Sequence, residues 1–536
     1  MRTLSTPGLR PWPADALPSG LLPATRLLRL HLQGRVRADG GLHEPCESRV
    51  LESALMLALL DRTRQQPAAR NRLAAYLRSQ RDSPDVLDRL LARAALDRDD
   101  PLPPGALDVD QVLARAPDFT GPRKRALIHM VLGILGVPVA DTPAPDAYSL
   151  TGLHTWAHVQ VTAVKVVLGH HHTGPHQVTE ADLDLLRSTQ WPGTVWEGNL
   201  LIHLSVLHAL APLPGEHRLV SEGIRTALWL QRPDGGMPFI RDEDTWVTAA
   251  AGIALHAAGA SAPVLDAIAG RLVKLEHPDG GWSYTEGARL TDVDCTSAAL
   301  EVLHLADPHL HRTAIACGMR ALRTVRGCDG GYPTYLAGAP SEASMTAAAV
   351  NALSIQGPAQ DPAAEAALAY LASQQYDDGS FPPDWSRSRL HTVFRAALAA
   401  TRHPGPPGSP AARITESTRQ LVATTQNSDG GWGQQAGHRS DSLSTAYALI
   451  TLAAHPTPHR AVTPGIAYLL AQQRADGSIA GIADSIGPRP FAFTVPLLTD
   501  VFSLLALGHL TRRLAPITAE HSPAKPSRLH SDPVPS

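Results

Sequence analysis

Gln426-Asn427-Ser428-Asp429-Gly430-Gly431-Trp432 joins two apolar, helix-like runs, and variants of it recur down the C-terminal part of the chain. The others are Gln231-Arg232-Pro233-Asp234-Gly235-Gly236, His277-Pro278-Asp279-Gly280-Gly281-Trp282, Cys328-Asp329-Gly330-Gly331-Tyr332, Gln374-Gln375-Tyr376-Asp377-Asp378-Gly379 and Gln472-Gln473-Arg474-Ala475-Asp476-Gly477. Measured on the Asp before Gly, the steps are 45, 50, 49, 51 and 47 residues. An Asp-Gly pair reverses the chain, because glycine accepts the left-handed backbone, and a unit of this length holds two helices. A second register runs through Thr248, Thr296, Thr346, Thr392, Thr445 and, less cleanly, Thr499. Leu255, Leu303, Leu353 and Leu452 follow four of these by seven residues, on the same helix face. Six helix pairs with no distinct capping repeat predict an all-α fold whose units close into an α/α toroid instead of an open solenoid.

A seventh turn, Ala38-Asp39-Gly40-Gly41, precedes Asp234 by 195 residues. The gap predicts an inserted helical block at residues 44–216, with 1–43 contributing to the ring, 217–512 forming it, and 513–536 a disordered tail rich in Pro, Ser and Ala. Runs at 51–60, 123–136 and 199–210 are apolar and helix-like within the block, and 97–108 and 141–146 are Pro/Asp-rich loops.

The 536 residues are enough for two or three domains. A formal net charge of -3 argues against a nucleic-acid surface. Four cysteines show no CxxC or zinc-like spacing, there is no signal-peptide core, and the longest apolar region, 248–270, is broken by His256, Pro263 and Asp266. These features predict a cytoplasmic protein with no transmembrane segment.

Asp292-Val293-Asp294-Cys295-Thr296-Ser297 follows the second turn. Asp, Thr and Ser there suit a capped helix start. Two carboxylates at i, i+2, one held neutral and polarised by the other, also make an acid strong enough to protonate a carbon-carbon double bond.

The turns together with Asp-x-Asp-x-Thr resemble the protonation-initiated terpenoid cyclases: squalene-hopene cyclases, oxidosqualene cyclases and class II diterpene cyclases. The resemblance covers roughly residues 20 to 510. It implies two α/α-barrel domains, β and an inserted γ, with Asp294 as general acid and Asp292 polarising it. Cys295 departs from the usual third carboxylate. Repeat register puts Ser344 beside Asp294 as a second acid-supporting residue and Trp246 on the cavity wall, with Trp385, Phe491 and Phe493 as further cavity candidates. Asn199 and His203, i and i+4 on one helix, are deprotonation candidates. Arg387, Arg389, Arg439 and Arg489 are candidates for the diphosphate. Mg²⁺ is implied as cofactor with its ligands unknown, since Glu44, Glu47 and Glu52 are weak stand-ins for the family's acidic segment. No Asp-Asp-x-x-Asp is present, so the diphosphate is expected to survive.

The implied reaction is cyclisation of geranylgeranyl diphosphate to a bicyclic diterpenyl diphosphate by an isomerase. The alternatives are an epoxidised prenyl diphosphate, suggested by a milder acid next to Cys295, a farnesyl diphosphate (drimenyl-type) cyclase, a squalene-hopene-like triterpene cyclase, and a prenyltransferase-like toroid without cyclase activity. A homodimer is compatible with all of these.

Overall fold

The computed structural model describes residues 11–13, 16–100, 102–103, 105–114, 116, 120–138, 143–171, 178–356 and 362–514. The tail expected to be disordered lies, from residue 515 on, outside them. Among the described residues the chain is almost wholly helical.

After α1 (Leu21–Arg35) come nine helices: α2 (Val50–Thr63), α3 (Pro67–Ser79), α4 (Val86–Leu96), α5 (Val109–Leu113), α6 (Gly121–Ile134), α7 (Thr155–His171), α8 (Glu180–Ser188), α9 (Leu200–Leu210) and α10 (His217–Leu228). Eleven more follow: α11 (Asp244–Ala257), α12 (Ala262–Lys274), α13 (Val293–Ala306), α14 (Arg312–Val325), α15 (Ala343–Leu353), α16 (Pro362–Gln374), α17 (Leu390–Arg402), α18 (Pro410–Thr424), α19 (Ser442–Ala454), α20 (Val462–Ala471) and α21 (Leu497–Thr511). Two short antiparallel strand pairs are also present, β1 (Ser48–Arg49) with the distant β2 (Met237–Pro238) and β3 (Ser485–Ile486) with β4 (Ala492–Phe493).

The odd-numbered helices from α11 to α21 each pack on the next, and α21 packs back on α11, so an inner ring of six closes. The inner helices are buried nearly all round, which is why their sequences are Ala/Leu-rich with no polar face. Each turn then abuts the next outer helix. Gly40 meets Ala267 of α12, Gly280 meets Cys317 of α14, and Gly330 meets Ala366 of α16. Gly379 meets Ser417 of α18, Gly430 meets Pro464 of α20, and Gly477 meets Leu27 of α1. The outer ring is therefore α1, α12, α14, α16, α18 and α20.

The turn at 231–236 is not in this ring. Gly235 abuts Arg72 of α3, Gln231 Nε2 donates to Ala69 O at 3.3 Å, and Ser48 Oγ donates to Asp234. Its expected place is taken by the turn at 38–41, since the Leu42 N–H donates to Thr248 Oγ1 of α11 at 2.9 Å. Sequence spacing could not separate the two, because both turns use the same Asp-Gly-Gly chemistry. We propose that the inserted unit runs from Pro45, which bridges to Asp242, to that aspartate, somewhat past the expected end at 216.

The threonine register has a packing cause. Thr296, Thr346 and Thr445 accept the backbone N–H of Trp282, Tyr332 and Trp432 at 2.9–3.0 Å, locking each turn onto its inner helix. Trp282 and Trp432 donate their indole N–H to Leu272 O and Val422 O of the preceding outer helices, so these rings are structural.

Candidate active site

A cavity of about 330 Å³ lies where the N-terminal ends of the inner helices face α6, α7 and α9. Asp292, Asp294, Cys295, Glu243 and Trp246 line it from the ring, and Arg123, Lys124, His154 and Trp156 from the opposite side.

Asp292 is the N-cap of α13 and accepts the Cys295 N–H at 2.7 Å. Burial, with the nearby Asp294 charge, pushes its carboxyl up to about 7 against that hydrogen bond. The Cys295 thiol also bonds Asp292 and is itself pushed well up by burial. Asp294, in the first turn of α13, is gripped by a guanidinium fork from α17: Arg395 Nη1 donates to Oδ1 at 2.7 Å and Nη2 to Oδ2 at 3.1 Å. Arg395 is 6% exposed and lies 5.8 Å from the Trp246 ring. The expected partner Ser344 does not take this role. Its Oγ is buried with no hydrogen-bond partner among the described residues, because the long guanidinium reaches Asp294 from across the ring.

Glu243 is the N-cap of α11 and makes no side-chain capping bond. Burial, then the charges of Asp294, Asp292 and Asp242, push its carboxyl up to about 8. Burial therefore favours the protonated form of both Asp292 and Glu243 at this end of the cavity.

The far end is cationic. Burial, with Arg489 and Arg123 close by, lowers the Lys124 ammonium to about 7, and burial lowers Arg123 as well. Neither has a carboxylate partner among the described residues, whereas Arg489 pairs with Glu342 through Nη1 and Nη2. Uncompensated cations facing one cavity are costly unless an anion arrives. His154 is held neutral, at about 4, by burial and by Lys124 and Arg123. Its buried Nδ1 has no hydrogen-bond partner among the described residues.

Aromatic rings connect the ends. Trp156 meets Tyr284 and Tyr335 edge-on at 5.4 and 5.5 Å, Tyr335 meets Trp385 at 6.2 Å, and Phe502 meets Trp246, Tyr447 and Phe394 at 5.9, 5.1 and 5.6 Å. Trp246, Trp385 and Phe493 line the cavity. Phe491 is buried outside its lining.

The remaining expected residues divide. Asn199 lines the cavity while its Oδ1 caps α9 through Ile202 N–H at 3.1 Å. His203 points away from the lining, its Nε2 against Gly223 O at 3.1 Å, so the i, i+4 pair is not a pair here. Of the four arginines, Arg489 lines the cavity. Arg389 donates to Ser380 Oγ and Phe381 O, Arg387 lies 4.0 Å from Asp85, and Arg439 is exposed. Glu44 pairs with Arg35 and Glu52 with Arg49. Among the described residues no three His, Cys, Asp or Glu side chains gather to hold a metal.

Three residues missed in the sequence carried a signal. Arg395 stands three places after Thr392, where the other inner runs have Ala251, Ala299, Ala349 and Ala448. Lys124 is one of four lysines in a chain whose basic residues are otherwise arginine. Glu243 immediately precedes the Asp-Thr-Trp that opens an inner run. His154 carried none.

The chain matches family models for the squalene-hopene cyclase C-terminal domain over residues 336–512 and for the prenyltransferase alpha-alpha toroid domain over 203–383. It is 40% identical over 528 residues to a drimenyl diphosphate synthase of Streptantibioticus cattleyicolor, covering 94% of this chain and 97% of that one. A drimenyl diphosphate synthase of Streptomyces showdoensis is 39% identical over 91% of this chain and 94% of its own. Among solved structures, ent-copalyl diphosphate synthase from Streptomyces platensis shares the fold at a TM-score of 0.58 and 19% identity, covering 91% of this chain and 100% of that one. With relatives of this identity aligned almost end to end, and a toroid carrying paired aspartates at the head of an inner helix, the chain belongs to the class II terpene cyclases, enzymes of isomerase type.

Proposed function

We propose that the enzyme cyclises farnesyl diphosphate to a bicyclic drimenyl-type diphosphate and leaves the diphosphate intact. The observation that carries this reading is the polarity of one cavity, with Asp294, held from behind by Arg395, at the ring end, and Arg123 and Lys124, which have no carboxylate partner among the described residues, at the other. Farnesyl is preferred to the geranylgeranyl chain expected from sequence because two nearly full-length relatives are named for the fifteen-carbon product. Squalene has no anion, so it gives the cationic end nothing to do.

In this mechanism Arg123, Lys124 and Arg489 hold the diphosphate, with guanidinium forks matching its oxygens. Binding draws a proton onto Lys124, since an adjacent anion favours the charged form. The chain then lies along the aromatic wall with its terminal alkene at Asp294. The Asp294 carboxyl adds its proton to the CH carbon of that alkene, giving a tertiary cation, and two successive double bonds close rings onto it. The Arg395 fork stabilises the carboxylate left behind. Ring faces of Trp246, Phe502 and Tyr447 attract the migrating positive charge. A neutral base then removes a proton from the ring methylene beside the last cation, leaving a ring double bond; His154, uncharged and with an Nδ1 that has no partner among the described residues, is our assignment. The thiol of Cys295 serves Asp292, so it gives no ground for a milder acid at Asp294 or for an epoxide substrate.

The test is a side-by-side assay of farnesyl diphosphate, geranylgeranyl diphosphate and squalene with the purified enzyme. Highest kcat/KM for the farnesyl substrate supports the reading. Preference for either of the others overturns it.

A further inference from the structure

Three non-glycine residues among those described have a positive φ, and Glu197, at φ 54° and ψ 17°, is the buried one. Left-handed backbone favours glycine, so a glutamate persists there only where its own contacts hold it. Its Oε2 accepts the Trp156 indole N–H at 3.0 Å and the Arg289 backbone N–H at 2.6 Å, and its carbonyl accepts the Tyr284 hydroxyl at 2.5 Å. Trp156 stands in the first turn of α7, while Tyr284 and Arg289 lie in the segment between α12 and α13 that leads into Asp292. One residue therefore ties the cavity wall contributed by α7 to the turn that carries the acid.

Glu197 does not line the cavity, but Trp156 and Tyr284 do. Trp156 meets Tyr284 at 87°, Tyr335 at 62° and His154 at 79°, so its ring orientation shapes the space beside the base. The bond to Glu197 fixes that orientation. A carboxylate acceptor also polarises the indole, which leaves the ring more electron-rich and more attractive to a cation.

We propose that Glu197 is a positioning residue that sets Trp156 against the last cation and so decides where the cyclisation ends. This role rests on the cyclase reading above, in which His154 takes the final proton. A fixed, electron-rich ring beside the bicyclic cation favours that stage over the monocyclic cation before it. An indole free to turn removes that support, so proton loss comes earlier or from another carbon.

The measurement is mass-spectrometric product analysis, after phosphatase treatment, of farnesyl diphosphate turned over by wild type, Glu197→Ala, Glu197→Gln, Trp156→Phe and the Glu197→Ala/Trp156→Phe double variant, with kcat and KM for each. Glu197→Ala should yield monocyclic or isomeric products beside the wild-type one. Its kcat should fall by up to about 30-fold, the worth of one desolvated cation–π contact, with KM near wild type. Glu197→Gln keeps an acceptor oxygen at the same reach and should keep the wild-type product. Trp156→Phe, a ring without the N–H, should reproduce the Glu197→Ala mixture, and the double variant should add nothing further. A folded Glu197→Ala enzyme that makes the wild-type product alone overturns the proposal, as does an additive double variant. If Glu197→Ala does not fold, Trp156→Phe decides: a mixture supports the role, and the wild-type product alone overturns it. A wild type that cyclises no prenyl diphosphate removes the functional reading and this role with it, a result distinct from every variant outcome.

Discussion

Replacing Arg395 by methionine removes two charge-assisted hydrogen bonds, at 2.7 and 3.1 Å, from the carboxyl that gives up its proton. Both bonds are stronger to the carboxylate product of proton transfer than to the neutral acid, so their loss falls on the transition state. One preorganised donor aimed at developing negative charge is worth about 2.7–4 kcal/mol, or about 10²–10³ in kcat. Arg395→Met should therefore lower kcat by about 10²–10³ while KM stays near wild type, because the phosphate-facing cations are at the other end of the cavity. Arg395→Lys keeps the charge without the fork and should recover only part of the rate. The variant will also be less stable, since breaking a buried pair from one side costs about 3–5 kcal/mol. Steady-state kinetics should thus be run on protein shown to be folded by circular dichroism, well below its melting temperature. A folded Arg395→Met enzyme with kcat within about threefold of wild type, under 1 kcal/mol of barrier, would refute the role given to the fork.

Lys124→Met should raise KM for prenyl diphosphates by about 10–100-fold with little change in kcat, the worth of one charged hydrogen bond, and unchanged KM would contradict it. Because Glu243 is raised in the fold to about 8 from an ordinary 4.5, its contribution to stability is fully present below about 4.5 and is lost as pH rises through 8. Melting temperatures of Glu243→Gln minus wild type should consequently climb between pH 6 and 9 in calorimetry, and a flat difference would contradict the assignment. Gly430 has φ 88°, and a Cβ there would lie 2.6 Å from Pro464 O of the next outer helix. Gly430→Ala should therefore cost about 1–3 kcal/mol in denaturant unfolding, against no loss if the turn were loosely packed.

The ring was legible because its signals are local. An Asp that caps its own Gly-Gly turn, and a threonine that receives the N–H after it, recur at nearly fixed spacing and need no tertiary knowledge. What spacing could not give was membership: the turns at 38–41 and 231–236 are chemically alike, and only their neighbours, α12 and α3, tell them apart. The same limit governs the site. Asp292 and Asp294 stand two positions apart in sequence and were readable as a pair. The groups that decide their chemistry come from elsewhere: Arg395 is 101 residues on in α17, Glu243 is at the head of α11, and Lys124 reaches in from α6. Asn199 and His203 show the opposite failure, in which helical spacing puts two polar side chains on neighbouring turns but packing sends the histidine to Gly223 and away from the cavity.

The central claim is that the reaction begins with a proton from the protein and ends with the diphosphate in place. Turnover of farnesyl diphosphate in D₂O, followed by mass spectrometry and NMR of the product, tests both halves at once. The account predicts one deuterium, on the ring methylene beside the gem-dimethyl carbon, in a product that still carries both phosphates, with none formed by Asp294→Asn. A cyclised product without that deuterium, or release of inorganic pyrophosphate in step with cyclisation, would contradict it.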